Sequence, residues 1–171
     1  MDDVLQRFQA SAPVDISGLA KAMGVNVWES DVLPGDVSGQ ILLDPLNGGS
    51  EGYSILVRST DSYVRRRFTV AHELGHFVLH RTSIGSLFSE DNLYRSGLPN
   101  QLEIEANRYA ANVLMPVRLV RQHIEAYGPD VAKLAQAFEV SEAAMKIRLE
   151  GLFLRPNPGK SRAVGSVLSE F

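Results

Sequence analysis

The run Arg67-Phe68-Thr69-Val70-Ala71-His72-Glu73-Leu74-Gly75-His76-Phe77-Val78-Leu79-His80 decides how this chain is read. Val70, Leu74 and Phe77 recur at helical spacing with Ala71 and Val78 beside them, so residues 66–81 are expected to form an amphipathic helix. At about 100° per residue, His72 and His76 stand about 40° apart and one turn above each other, so both imidazoles can reach one ion. Glu73 lies beside them at about 100°, where a carboxylate can contact a metal-bound water without necessarily ligating the metal. That is the geometry of a general base. The bland alternative is two surface histidines on a helix, but with only 4 histidines in 171 residues an HExxH spacing is a rare coincidence.

The rest of the composition narrows the chemistry. There is no cysteine, so disulfides, thiolate zinc sites, iron–sulfur clusters and a cysteine nucleophile are excluded, and any metal must be held by His, Asp or Glu. A hydrophobic fraction of 44% and a charged fraction of 22% are those of a globular chain, and the net charge of −3 gives no general reason to bind nucleic acid. The chain starts Met1-Asp2-Asp3 without a signal-like apolar stretch, and no run of eighteen apolar residues occurs. A cytoplasmic protein with no membrane partner is expected.

Periodicity and punctuation divide the chain. Residues 1–24 read as two short helices separated by Pro13. Three short β-like runs follow, Val25 to Trp28, Gly39 to Leu43 and Tyr53 to Val57, separated by Pro-Gly and Asn-Gly-Gly turns. A Ser, Gly and Asn-rich loop from about Thr82 to Asn100 separates the HExxH helix from helices expected at Gln101 to Met115, Pro116 to Tyr127, Asp130 to Phe138 and Ser141 to Leu152. The expected fold class is α+β: a small mixed or antiparallel sheet, zincin-like active-site helices over residues 1–127, and a helix-turn-helix-like extension over 128–155. Residues 156–171 are expected to be a flexible tail.

A catalytic zinc site needs a third protein ligand and an open position. If the helix after the loop buries Leu102, Ala106, Tyr109 and Val113, Glu103 and Asn107 share a stripe beside that face, whereas Glu105 lies about 160° to 200° away. Glu103 is therefore assigned as the ligand, Asn107 as the residue that orients a metal-bound imidazole, expected to be His72, and Glu105 as a solvated side chain.

Taken together, Arg67 to His76, Leu79-His80, Glu103-Ile104-Glu105-Ala106-Asn107-Arg108-Tyr109-Ala110 and Leu114-Met115-Pro116 resemble the ImmA/IrrE family of bacterial metallopeptidases. The resemblance extends more weakly to Pro13-Val14-Asp15-Ile16 and to the C-terminal helices, and covers about residues 13–152. It implies Zn2+ bound by His72, His76 and Glu103, with Glu73 as the catalytic carboxylate. It also implies a substrate class, helix-turn-helix repressors of the XRE type or antitoxins, encoded next to the gene, in a setting of transcription regulation or toxin–antitoxin pairing. Two nitrogens and one carboxylate also suit manganese.

Further residues are candidates for substrate contact. The run Tyr53 to Ser59, with Tyr53, Ile55 and Val57, is taken as an exposed edge along which a peptide adds as a strand. Arg66, in a row of three arginines at the start of the HExxH helix, faces an unfavourable helix dipole and so invites an acidic partner, internal or on a substrate. Tyr94 and His80 are candidate oxyanion donors, although His80, in the last helical turn where the dipole favours a cation, is read first as structural. The segment Val131 to Met145 reads like a helix-turn-helix, but its second helix opens Ser141-Glu142-Ala143-Ala144 and offers few cations near its start, which speaks against direct DNA binding. Two rivals remain: a DNA-binding regulator with a structural zinc site, and a non-proteolytic partner that sequesters a repressor.

Overall fold

The computed structural model describes residues 2–84 and 100–152. In chain order they form α1 (Asp2–Phe8), α2 (Ile16–Ala22), β1 (Val25–Ser30), β2 (Gly39–Leu43), β3 (Tyr53–Arg58), α3 (Tyr63–His80), α4 (Asn100–Leu114), α5 (Val117–Tyr127), α6 (Val131–Phe138) and α7 (Glu142–Gly151), with a 3-10 turn at Arg81–Ser83. The fold is α+β, with seven helices and one small mixed sheet among the described residues. Tyr94, most of the expected Thr82 to Asn100 loop and the expected tail lie outside them.

The elements begin where local chemistry tells them to. Asp15 accepts from the Gly18 N–H at 2.9 Å, Asp130 from Lys133 N–H at 3.1 Å and Ser141 from Ala144 N–H at 3.1 Å, so each caps donors that the first helical turn leaves unpaired. Pro116 stands immediately before α5 and Gly128, at a positive φ of 82°, immediately after it.

Sheet order is β1-β3-β2. β3 runs parallel to β1, with Val25 opposite Tyr53, and antiparallel to β2, with Gly39 opposite Val57. This overturns the expected edge. Tyr53 to Arg58 is the middle strand with both ladders occupied, and Tyr53, Ile55 and Val57 are 7%, 0% and 2% exposed. They are core residues, and a peptide cannot pair where two strands already do. Among the described residues, the unpaired edge nearest α3 belongs to β2.

α3 lies against the sheet with Val70, Ala71, Leu74 and Phe77 buried, and α4 packs on its other side through Ala106, Ala110 and Val113. Small residues set the distance between these helices. A Cβ on Gly75 would stand 3.1 Å from Ala106 Cα, 3.2 Å from Ala106 O and 3.2 Å from Tyr109 Cβ, so any larger residue would press the two helices apart by a few tenths of an ångström. Gly39 does the same for the sheet: a Cβ there would be 2.3 Å from Thr69 Cγ2 and 2.8 Å from the Leu56 carbonyl oxygen.

The apolar core continues into the last helices, where Leu134, Phe138, Val140, Met145 and Leu149 join the same cluster as Val14, Ile55 and Leu74. Arg67 ties these parts together. Its buried guanidinium donates to the Val14 carbonyl at 2.8 Å and the Glu139 carbonyl at 3.2 Å, and lies 3.4 Å from the Glu139 carboxylate. Glu139, in the left-handed region at φ 51°, makes the turn between α6 and α7 and also accepts from the Tyr63 hydroxyl at 3.0 Å. No helix among the described residues is long and apolar enough to cross a membrane.

Candidate metal centre

Because Gly75 brings α4 close, Glu103 reaches the histidines of α3. Glu103 Oε2 lies 3.2 Å from His72 Nε2, Glu103 Oε1 lies 3.3 Å from His76 Nε2, and the two Nε2 atoms are 3.0 Å apart. These three side chains form a group able to hold a metal ion. Asn107, one turn beyond Glu103, has its Oδ1 3.1 Å from His72 Nδ1. The amide oxygen accepts the Nδ1 proton, which leaves the His72 Nε2 lone pair turned towards the other donors.

The donor set fits a divalent cation of the zinc class. Two imidazole nitrogens and a carboxylate oxygen converge at 3.0–3.3 Å, close to the roughly 3.3 Å between corners of a tetrahedron whose centre is about 2 Å from each corner. Lone pairs facing one another at that distance repel unless positive charge sits among them. In the metal-free protein, the site favours a proton on His72. Burial alone would lower the His72 pKa, but the hydrogen bond to Glu103 and the charges of Glu73 and Glu103 overcome it and raise the value above 6.5. The bonds to His72 and His76 hold the Glu103 carboxyl far below the usual carboxylate range.

Glu73 is only 6% exposed, beside the histidines and not among the converging donors. Burial pushes its pKa up, the positive field of His72 and His76 partly offsets this, and the Ile41 N–H of β2 donates to it. A carboxylate raised in this way is suited to taking and returning a proton.

The cluster opens into a cleft of about 740 Å³. One wall is the edge strand, with Gly39 and Gln40; Phe68, Thr69, His72 and Glu73 of α3 lie along it; and Val140, Ser141, Ala143, Ala144 and Ile147 of the α6–α7 turn and α7 form the opposite side. Arg65 stands at one end and donates to Ser38 Oγ at 2.8 Å and 3.1 Å.

Two expected substrate contacts are placed elsewhere. Arg66 does not line the cleft; it donates to the Ser59 and Asp61 carbonyls at 2.9 Å each and lies 3.5 Å from Glu29, so the partner its position called for is internal. His80 is buried, with Nδ1 3.1 Å from His76 Nδ1 and Nε2 3.1 Å from Glu105 Oε2. It does not line the cleft either and reaches no substrate carbonyl. Glu105, taken as solvated, is therefore partnered, and the hydrogen bonds from Gln101 and His80 lower its pKa. The four-residue steps His72, His76, His80 were the signal for this contact. The β2 edge and the α7 wall escaped the sequence reading because neither carries a motif.

The profile of the IrrE N-terminal-like domain, peptidase family M78, matches residues 20–150. The chain belongs to the IrrE N-terminal-like family. The family is one of metallopeptidases, and this member brings the His-His-Glu cluster together inside the matched span. A relative, the radiation response metalloprotease IrrE of Deinococcus radiodurans, is 35% identical over 95 residues, which are 53% of this chain and 28% of that protein. Among solved structures, a Mycobacterium tuberculosis transcriptional regulator superposes with a TM-score of 0.60 at 20% identity, over 91% of this chain and 48% of its own; that likeness is one of fold. The chain thus spans about a quarter to a half of these relatives' lengths.

Proposed function

We propose that this chain is a zinc-dependent endopeptidase that cuts a regulatory protein at a limited number of sites, the substrate being a helix-turn-helix repressor of the XRE type or an antitoxin encoded beside it. One observation carries the reading: His72, His76 and Glu103 converge at 3.0–3.3 Å with the buried Glu73 alongside, at the floor of an open cleft.

Bound by these three side chains, a zinc ion supplies Lewis acidity towards the scissile carbonyl and makes water acidic near neutral pH. Glu73 accepts the proton of the attacking water on its carboxylate and hands it to the departing amine. The Ile41 N–H and the walls around Glu73 hold the carboxylate in place between the two transfers. Among the described residues β2 is an edge strand with no strand on its other side, so an extended peptide pairs there through main-chain hydrogen bonds, with side chains set alternately into the cleft and out of it. The wall formed by Val140, Ala143, Ala144 and Ile147 takes an apolar side chain of the substrate. Because the first turn of α7 faces the cleft, the helix that would read DNA in a helix-turn-helix is engaged in peptide binding, which favours peptidase over DNA reader.

Mixing the full chain, zinc and the neighbouring repressor tests the proposal on a gel. Discrete fragments with wild type, none with Glu73→Gln and none with chelator are expected. An intact stoichiometric complex in all three lanes supports a sequestering partner instead, and salt-sensitive DNA binding unaffected by Glu73→Gln supports a regulator with a structural metal.

A further inference from the structure

The histidine stripe of α3 does not stop at the two metal ligands. His76 Nδ1 lies 3.1 Å from His80 Nδ1, and His80 Nε2 lies 3.1 Å from Glu105 Oε2. A neutral imidazole has one donor nitrogen and one acceptor, so the direction of such a chain is fixed at whichever end has no choice. The carboxylate of Glu105 only accepts. His80 therefore donates through Nε2–H, its Nδ1 becomes an acceptor, and His76 must donate to it through Nδ1–H. The remaining lone pair of His76, on Nε2, then points at His72 Nε2 and Glu103.

We propose that Glu105 and His80 are positioning residues: a carboxylate–imidazole–imidazole relay that locks His76 in the one tautomer able to bind the ion and holds its ring in place. The inference rests on the metal-site reading above and extends it to two residues outside the ligand set. Asn107 performs the same task for His72 in one step, through its 3.1 Å bond to Nδ1. The two imidazoles are thus oriented from opposite ends, by a short neutral acceptor on α4 and by a longer charged relay that also starts on α4. His80 is buried, so water does not compete for its ring nitrogens.

The test uses the full-length protein and zinc alone. Chelator competition measures zinc affinity for wild type, Glu105→Gln, Glu105→Lys, His80→Phe and, as a reference, Glu103→Ala; long-range proton–nitrogen NMR reads the tautomer of each imidazole in the zinc-loaded forms. Glu105 is partly exposed, so its variants are expected to fold even if His80→Phe does not. Glu105→Gln keeps an acceptor and stays within about threefold of wild type, whereas Glu105→Lys can only donate, reverses the relay and weakens zinc by about 10–100-fold, as loss of a ligand's orienting partner does elsewhere. In wild type, His80 is expected as the Nε2–H form and His76 as the Nδ1–H form. An Nδ1–H form of His80, or zinc affinity in Glu105→Lys equal to that of Glu105→Gln, overturns the relay while leaving the metal site standing. Wild type that takes up no more zinc than Glu103→Ala removes the site itself, and the relay with it.

Discussion

Replacing Gly75 by alanine sets two effects of known size against each other. On an exposed helix the change stabilises by about 1 kcal/mol, because alanine restricts the unfolded chain and suits the helix. Here the new methyl would sit at 3.1–3.2 Å from Ala106 Cα, Ala106 O and Tyr109 Cβ, two to three tenths of an ångström inside ordinary contact. All three atoms belong to the backbone or are fixed directly to it, so no rotamer change relieves them, and Ala106 is fully buried. Overpacking of this kind costs about 1–3 kcal/mol, which leaves a net loss of about 1 kcal/mol and a fall in Tm of about 2–4 °C. The relief is for α4 to move away from α3, and α4 carries Glu103, whose oxygens lie 3.2 and 3.3 Å from the two imidazoles. Zinc affinity should fall along with stability. Calorimetry with and without zinc measures both, with Gly151→Ala as control, since a Cβ there meets nothing among the described residues within 4 Å and should be neutral or stabilising. A Gly75→Ala protein as stable as wild type and equally tight for zinc would show that the helix seam yields and that its close approach does not set the metal geometry.

Three other outcomes are expected. Glu73→Gln should abolish cleavage while retaining zinc, and should raise the Tm of the metal-free protein at neutral pH, because it removes a buried charge whose pKa burial has raised; a lower Tm refutes that account. In the metal-free protein His72 and Glu103 should together stabilise the fold most between about pH 4.5 and 6.5, while the raised Glu73 pKa adds stability that is present below 4.5 and lost as pH climbs. The raised His72 pKa contributes stability that is present below 6.5 and lost as pH climbs through the folded value, and the depressed Glu103 pKa contributes stability present above 4.5 and lost in acid; melting curves in chelator that keep rising to pH 8 contradict this. Gly39→Ala should destabilise by about 1–3 kcal/mol and raise KM more than it lowers kcat, since its Cβ strikes Thr69 and the Leu56 carbonyl and forces the edge strand off α3; an unaltered KM removes β2 from the substrate groove.

Helical arithmetic alone brought His72, His76 and Glu103 onto faces that could meet, because ligand spacing on a helix is a local property. The same arithmetic kept Glu105 away from the metal ligands but did not show its contact with His80, since an angle on one helix does not say which neighbour stands opposite. Strand positions were legible in Val25 to Trp28, Gly39 to Leu43 and Tyr53 to Val57, yet their order in the sheet was not. The near-continuous apolar run of Tyr53 to Val57 did carry a hint, because a strand buried on both faces loses the alternation that an exposed one keeps. Arg66 illustrates a third kind of limit. Its dipole conflict was visible, but whether Glu29, two carbonyls or a foreign acid would answer it depends on contacts 37 residues apart in sequence.

The anchorage of Arg67 bears on how the protein can be cut down. Its guanidinium is satisfied by acceptors 53 and 72 positions away, one before the sheet and one in the turn ahead of α7. A shortened fragment ending after α5 would retain every proposed zinc ligand and the proton acceptor, but would strand that cation and open one flank of the groove. Such an excision should yield a metal-loading yet poorly selective remnant, so the smallest competent piece extends through Leu149.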